Sequence, residues 1–312
     1  MPAAPAVSVV ITTYNRLAVL PIAIDSVLAQ VDCEFEVIVV DDGSVDDTVA
    51  ELGRRYGTEP RLRVITRANG GPPAARNTGI DVARAEWTAL LDSDDWWEPT
   101  YLRSQLAVLA DNPGADMVLC NGRRQDQDGS WHNLFDNPNF TMPTSIEAMC
   151  AGSWIQPTFT VVRTEVARRI RFDEAFRLGD DQEFMWRFVE AGHHCVPNPE
   201  PLAEYRASSA GDVATEEQIT ADFDELMLGA YAVWKHHGRR HPSAIRRRGL
   251  DFDRLFGDML LRHGRVGEAR FHLWRWWLAR PFEPRPAWLL LRSLARHRRA
   301  ATTSSNASHS RT

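Results

Sequence analysis

The sequence predicts an α/β fold, a mostly parallel sheet flanked by helices, with an α-helical C-terminal region. Three observations predict it. Through the first hundred residues, β-branched runs alternate with segments of helical period. A polar cluster follows each run, and past about residue 212 the strand pattern stops. Strands that alternate with helices of this length are joined by crossovers, which lay helices over both faces of a parallel sheet.

Residues 7–11 form a short β-branched run, the pattern of a strand buried on both faces. Leu20, Ile24, Val27 and Leu28 then recur at helical spacing. Residues 35–40 read as a second strand, closed by Asp41-Asp42-Gly43-Ser44, and Asp46 and Asp47 can cap a helix running to Tyr56. Residues 62–66 and 87–91 give the third and fourth strands, and Pro99 suits the first turn of a following helix. Ligands of such sheets bind beyond the carboxyl ends of the strands. Those ends are residues 12–16, 41–44, 67–76 and 92–95, where the polar clusters fall.

Composition narrows the class. The chain has 312 residues, 44% of them hydrophobic, enough for one large α/β domain and a smaller appendage. No run of 18 apolar residues suggests a membrane span, and the start lacks the basic segment of a signal peptide. Cys33, Cys120, Cys150 and Cys195 are widely spaced, which reads as reduced thiols in a cytoplasmic protein and not as a disulfide frame or a zinc site. Charge is uneven. Residues 235–312 hold 18 Lys and Arg against 5 Asp and Glu, whereas the rest holds 18 against 37. A basic tail on an acidic body suggests an anionic partner at that end. Nucleic acid is not the partner expected.

Each cluster offers chemistry and a plainer alternative. Asp92, Asp94 and Asp95 follow the fourth strand, and carboxylates at 92 and 94 can reach one hard cation, Mn²⁺ or Mg²⁺. The alternative is an acidic turn. Tyr14 could stack on a nucleobase while Arg16 faces phosphate, with Thr12 adding a hydroxyl; the alternative is a capped turn. Asp42 could accept a uracil imide N–H or a ribose hydroxyl, or could simply be a turn residue. Asn69-Gly70-Gly71-Pro72-Pro73 lets backbone approach a ligand, and Arg76 on the helix that follows could pair with a diphosphate. No Gly-x-Gly-x-x-Gly or Gly-Lys-Ser/Thr occurs, so this is neither a dinucleotide fingerprint nor a P-loop.

Together these motifs resemble the family 2 glycosyltransferases, GT-A fold enzymes that use nucleotide-sugar donors. The resemblance runs from Val7 to about Arg206. It rests on residues 7–16 (VSVVITTYNR), 39–44 (VVDDGS), 75–80 (ARNTGI) and 91–95 (LDSDD), in family order and spacing. The resemblance implies that Thr12, Tyr14 and Asp42 hold the nucleoside, UDP being favoured, and that Arg76 lies near the diphosphate. It makes Asp92-Ser93-Asp94 the Asp-x-Asp metal motif, centred on Asp94, with Asp92 and Asp95 as further ligands.

Downstream, residues 171–174 and 179–187 are similar to the family signature in which a Glu-Asp pair precedes a helix and the Asp takes a proton from the acceptor hydroxyl. Here the pair is Asp180-Asp181, so Asp181 matches the base. Adjacent carboxylates raise one another's pKa, which suits a base. The alternative is that both merely begin the helix predicted over 182–191, whose dipole would lower them. Many relatives carry a His two residues after the Tyr-Arg pair, here Tyr205-Arg206; this chain has Ser208 there, which puts the third metal ligand in doubt. His193 and His194, upstream, are not expected to ligate.

The implied activity is an inverting, metal-dependent transfer of a sugar to a hydroxyl, in cell-envelope polysaccharide, glycolipid or natural-product glycosylation. A nucleotidyltransferase would need a glycine-rich first loop, which residues 7–16 lack. A non-catalytic sugar- or partner-binding module would not need the carboxylates at 92, 94 and 181. A processive synthase is disfavoured by the missing Gln-x-x-Arg-Trp motif.

The expected organisation is a catalytic domain over 1–211, with a nucleotide-sugar half (1–100) and an acceptor and base half (101–211). A helical region over 212–300 and a disordered tail over 301–312 follow. Helices are predicted over 216–237 and 242–263, then a hairpin of 264–280 and 286–299. Trp274, Trp276, Trp277 and Trp288 sit among arginines there, which suits an anionic membrane surface at the inner face; the alternative is that they pack on the catalytic domain.

Overall fold

The computed structural model describes residues 4–125, 131–136, 140–150, 156–206, 223–242, 253–254, 256–279, 281–282 and 284–293. The chain divides into two compact units, Met1–Ala221 and Asp222–Thr312. The domain boundary read from sequence, at residue 211, lies outside the described residues, as do Ser208 and the tail 301–312.

Four parallel strands begin the first unit, β1 (Val7–Thr13), β2 (Phe35–Asp41), β3 (Leu62–Thr66) and β4 (Trp87–Asp92), in the order β3-β2-β1-β4. Val7, Val9, Val10 and Ile11 are buried, as are all seven residues of β2, so β1 and β2 are mostly apolar because helices cover both faces, and the buried Ser8 hydroxyl donates to Glu36 Oε1 at 2.7 Å. Register sets the ligand edge. Thr13 lies opposite Asp41, and Thr12 opposite Asp92, so three polar strand ends stand side by side.

Beyond β4 the sheet becomes mixed. β8 (Thr160–Arg163) pairs antiparallel with β4, and β6 (Met117–Gln125) antiparallel with β8. β9 (Cys195–Arg206) runs parallel to β6, β5 (Trp96–Trp97) antiparallel to β9, and β7 (Trp131–Asn133) flanks β6. The parallel order expected from sequence thus holds over β3-β2-β1-β4. The two residues of β5 displace the next helix, so α4 (Tyr101–Asp111) begins after Thr100 and Pro99 stays in the turn before it.

The helices of the nucleotide half follow local chemistry. α1 (Leu20–Leu28) turns Leu20, Ala23, Ile24 and Val27 inward. α2 (Thr48–Tyr56) is capped by Asp46 and not Asp47, since Asp46 Oδ1 accepts from the Thr48 backbone N–H at 3.1 Å and its hydroxyl at 2.5 Å. α3 (Pro72–Val82) opens with two prolines, which lack only N–H groups that a first turn leaves unpaired. It lies close on β1 at Gly79, where a methyl group would overlap Val10 Cγ1.

In the acceptor half, α5 (Ile146–Cys150) and α6 (Thr164–Ile170) precede α7 (Asp180–Glu190). The segment entering α7 is tied to α3 by a two-way amide contact. Asn77 Nδ2 donates to the Phe172 carbonyl at 2.9 Å, and the Phe172 N–H donates to Asn77 Oδ1 at 2.8 Å.

The second unit contains α8 (Phe223–Gly238), helical residues 256–262, α9 (Val266–Ala279) and helical residues 284–293. Its core is Tyr231, Phe256, Met259, Leu260, Leu273, Trp276 and Leu289, with a buried Asp253–His272 contact of 2.7 Å inside it. Trp276, grouped with the surface tryptophans on sequence grounds, is 3% exposed and belongs to this core, whereas Trp274 and Trp288 are exposed. No helix among the described residues is long and apolar enough to cross a membrane.

Replacing Gly79 by Ala tests the α3–β1 contact. Helix propensity favours Ala by ~1 kcal/mol, but overpacking against Val10 costs ~1–3 kcal/mol. Urea unfolding of Gly79→Ala is therefore expected to show a net loss of stability, and a gain would show that the helix rides free of β1.

Candidate active site

The strand ends open into a cleft of about 400 Å³. Thr12, Tyr14, Arg16, Asp42, Arg76, Asp92 and Asp94 all line it. Local conformation puts them there. Asn15 takes a positive φ of 50°, which short polar side chains tolerate, and bridges two loops. Its backbone N–H donates to Ser44 Oγ at 2.9 Å while its Oδ1 accepts from the Val45 N–H at 2.9 Å, fixing Tyr14 and Arg16 between them.

Asp42 lines the cleft and also has a structural task. It is buried, and both carboxylate oxygens already accept protein donors: Arg67 Nη1 at 2.6 Å, the Gly70 N–H at 3.0 and 3.1 Å, and the Gly71 N–H at 2.7 Å. It holds the loop before α3 in place, and Gly71, with φ +88°, supplies the backbone bend. Arg67 follows β3 and opens the 67–76 cluster, but nothing in the sequence pairs it with Asp42, 25 residues away.

Arg76 is the centre of the site. It is 7% exposed and bridges two carboxylates, donating from Nη2 to Asp92 Oδ1 at 2.8 Å and from Nη1 in a very short contact to Asp180 Oδ2. Its guanidinium also lies over the Phe172 ring, 5.4 Å from the centroid. Burial works against its charge, but Asp180 and Asp92 outweigh it and hold its pKa above the usual arginine range.

Asp180 and Asp181 begin α7 after Gly179, whose φ of 74° makes the turn. Asp181 borders a small apolar pocket with Leu90, Met117, Phe172, Phe184 and Met185. Burial, and then the charge of Asp180, push its carboxyl up to about 7, partly opposed by Arg76. Asp180 is also raised, chiefly by burial and against the pull of Arg76. The lowering expected from a helix dipole does not prevail. The structure therefore brings Asp180, not Asp181, onto Arg76.

The acidic motif splits by one residue. Asp92 and Asp94 face the cleft, and Asp94 Oδ2 lies 3.4 Å from Arg16 Nη1. Asp95 is fully buried, accepts the Thr158 hydroxyl and is not among the cleft residues. Two carboxylates on one wall fit the hard-oxygen preference of Mg²⁺ or Mn²⁺. No group of three His, Cys, Asp or Glu side chains among the described residues could hold such an ion alone. The fit is thus that of an ion sharing its shell with substrate oxygens and water. His193 is occupied elsewhere, its Nδ1 lying 2.8 Å from Asp116 Oδ2. Arg177 also lines the cleft; sequence reading passed over it, though it lies just before the Gly179-Asp180-Asp181 signature.

Comparison with known proteins agrees with this architecture. The profile of Glycosyl transferase family 2 matches residues 8–171. The succinoglycan biosynthesis protein ExoO of Rhizobium meliloti (strain 1021) is 33% identical over 246 residues, covering 73% of this chain and 70% of that protein. Among solved structures, S. aureus TarS 1–349 in complex with UDP superposes with a TM-score of 0.55 at 24% identity, over 73% of this chain and 64% of that one. The mannosyltransferase PcManGT from Pyrobaculum calidifontis, in complex with GDP-Man and Mn²⁺, gives 0.53 at 22% identity over 67% and 59%. At such identities the two structures speak for the fold. The chain spans less than two thirds of either. Profile and sequence relative carry the assignment: this chain belongs to glycosyl transferase family 2 and is a glycosyltransferase.

Proposed function

We propose that the protein transfers a sugar from a nucleoside-diphosphate donor to an acceptor hydroxyl, with inversion and with a divalent cation, in the assembly of a cell-envelope polysaccharide or glycolipid. The observation that carries the reading is the double pairing of Arg76, because it sets the cleft carboxylate Asp92 and the raised Asp180–Asp181 pair on either side of one cation. UDP, UDP-GlcNAc and GDP-Man in the neighbouring structures support a nucleotide-sugar donor. The name of the succinoglycan relative supports a polysaccharide product.

In this reading Tyr14 and Thr12 meet the nucleoside, and Asp42 acts on it through the loop that it holds. Arg16 and Arg76 meet the diphosphate. Asp94 and Asp92 would hold Mn²⁺ or Mg²⁺, which would neutralise charge building on the departing diphosphate. Asp181 takes the acceptor's proton as the hydroxyl attacks the anomeric carbon opposite the leaving group. A base with a pKa near 7 is half ionised at neutral pH and still basic enough to accept a proton. The work is proposed at the cytoplasmic face of a membrane, reached through the helical unit.

Asp181→Asn keeps shape and hydrogen bonding but not basicity, so transfer is expected to fall ~100-fold or more while UDP binding persists. Wild-type turnover should rise with pH to a plateau above about 7, and the variant should lose that limb. Stability moves the other way. A carboxyl raised in the folded state stabilises below its unfolded pKa, and this contribution is lost as pH climbs to about 7. Thermal melts at pH 8 should therefore find Asp181→Asn more stable than wild type. Near-normal transfer by this variant would remove Asp181 as the base.

Asp94→Ala addresses the ion. Calorimetry is expected to show that Mn²⁺ tightens UDP binding to the wild type, and that the substitution abolishes this gain while leaving metal-free binding unchanged. Equal wild-type affinity with and without metal would overturn the metal assignment.

A further inference from the structure

The two last helical segments each bury one stripe in the core of their unit, Ala269, Leu273 and Trp276 on α9 and Leu289 on residues 284–293. On a helix that only faces water, the opposite stripe is polar. Here it is apolar. Phe271, Trp274 and Leu278 recur at helical spacing and are exposed, as are Trp288 and Leu291 three residues apart. Phe282, in the turn between the segments, is 99% exposed. Among the described residues, every exposed Phe and two of the three exposed Trp fall within 271–291. Large apolar side chains left in water in this number mark a docking surface.

Trp288 also lines a groove of about 680 Å³, together with Arg262, Arg285, Arg292 and Asp258. Arg285 reaches Asp258 at 3.0 Å, and the Arg292 guanidinium lies 4.7 Å from the centre of the Trp288 ring. Three guanidinium groups against one carboxylate leave the groove cationic, and their fork geometry matches phosphate oxygens. The surrounding sequence has the same sign, with 18 Lys and Arg against 5 Asp and Glu over 235–312. This charge favours an anionic partner and opposes a second copy of the same face, which would set like charge against like.

We infer that this face docks on an anionic phospholipid surface. Phe282, Trp288 and Leu291 enter the headgroup layer, and the Arg262–Arg285–Arg292 groove takes a lipid phosphate. The assignment rests on the membrane contact in the reading above but not on the chemistry of sugar transfer, and it names the residues that make the contact.

The test is flotation of the full chain with phosphatidylcholine vesicles, with and without phosphatidylglycerol. Binding is expected only with phosphatidylglycerol, weakening as salt is raised. Phe282→Ser combined with Trp288→Ser and Leu291→Ser, and separately Arg262→Gln with Arg292→Gln, should each cut the floated fraction ~10-fold or more at unchanged melting temperature. No flotation on either vesicle would overturn both the membrane contact and this face. Salt-sensitive flotation that neither variant alters would keep the contact and overturn the face. Conversion of a lipid-free dimer to monomer by the apolar variant, read by sedimentation, would make the face a self-association surface and overturn the assignment. Loss of sugar transfer in solution, with flotation intact, would leave it standing.

Discussion

The site depends on one buried cation. Arg76 stands between Asp92, at the end of a parallel strand, and Asp180, at the start of α7, and so joins α3 to both at the ligand edge of the sheet. A guanidinium removed from water is costly unless its donors are met, and two carboxylates meet them here. The dependence is mutual, because without Arg76 two carboxylates would face each other across a desolvated gap. Several features serve this contact. Gly79 lets α3 lie against β1, Asn77 clamps the segment entering α7, and Phe172 presents its ring to the guanidinium.

The same geometry explains how two neighbouring carboxylates differ. Asp180 has the arginine as partner, whereas Asp181 has an apolar pocket and a negative neighbour. Arg76 cannot neutralise both. The pair therefore keeps a proton to near pH 7, and the residue holding it in the apolar environment is suited to exchange it. The alternation of environment along one helical turn does what a single isolated carboxylate, solvated at this edge, would not.

Much of this was readable in the chain, and the parts that were not share a cause. Strands β1, β2 and β4 were legible because burial on both faces makes their runs mostly apolar, the half-exposed β3 because its short β-branched run follows a helical segment, and the cleft residues because polar clusters follow such runs. The pairing of Arg76 with Asp180 crosses 104 residues and leaves no local pattern. The engagement of Asp42 by Arg67 and two glycine N–H groups was hidden because backbone donors carry no sequence signature. Asp95 shows the limit most sharply. It adjoins Asp94 in a run of acids, yet it turns to Thr158 in the core. Composition identified the run, but only packing decides which member faces solvent.

The C-terminal tryptophans follow the same rule in a helix. Trp274 and Trp276 are two positions apart, but a helix turns 100° per residue, so their surroundings diverge. Trp276 is a core residue, whereas Trp274 stands in water on the far side of α9. A reading that pooled them by composition had to treat them alike. Once the core side is known, the outward stripe becomes the informative one, because a helix that needs only its core gains nothing from placing Phe271, Trp274 and Leu278 in solvent. Residues that packing does not require, and that water disfavours, are where a second surface is best sought.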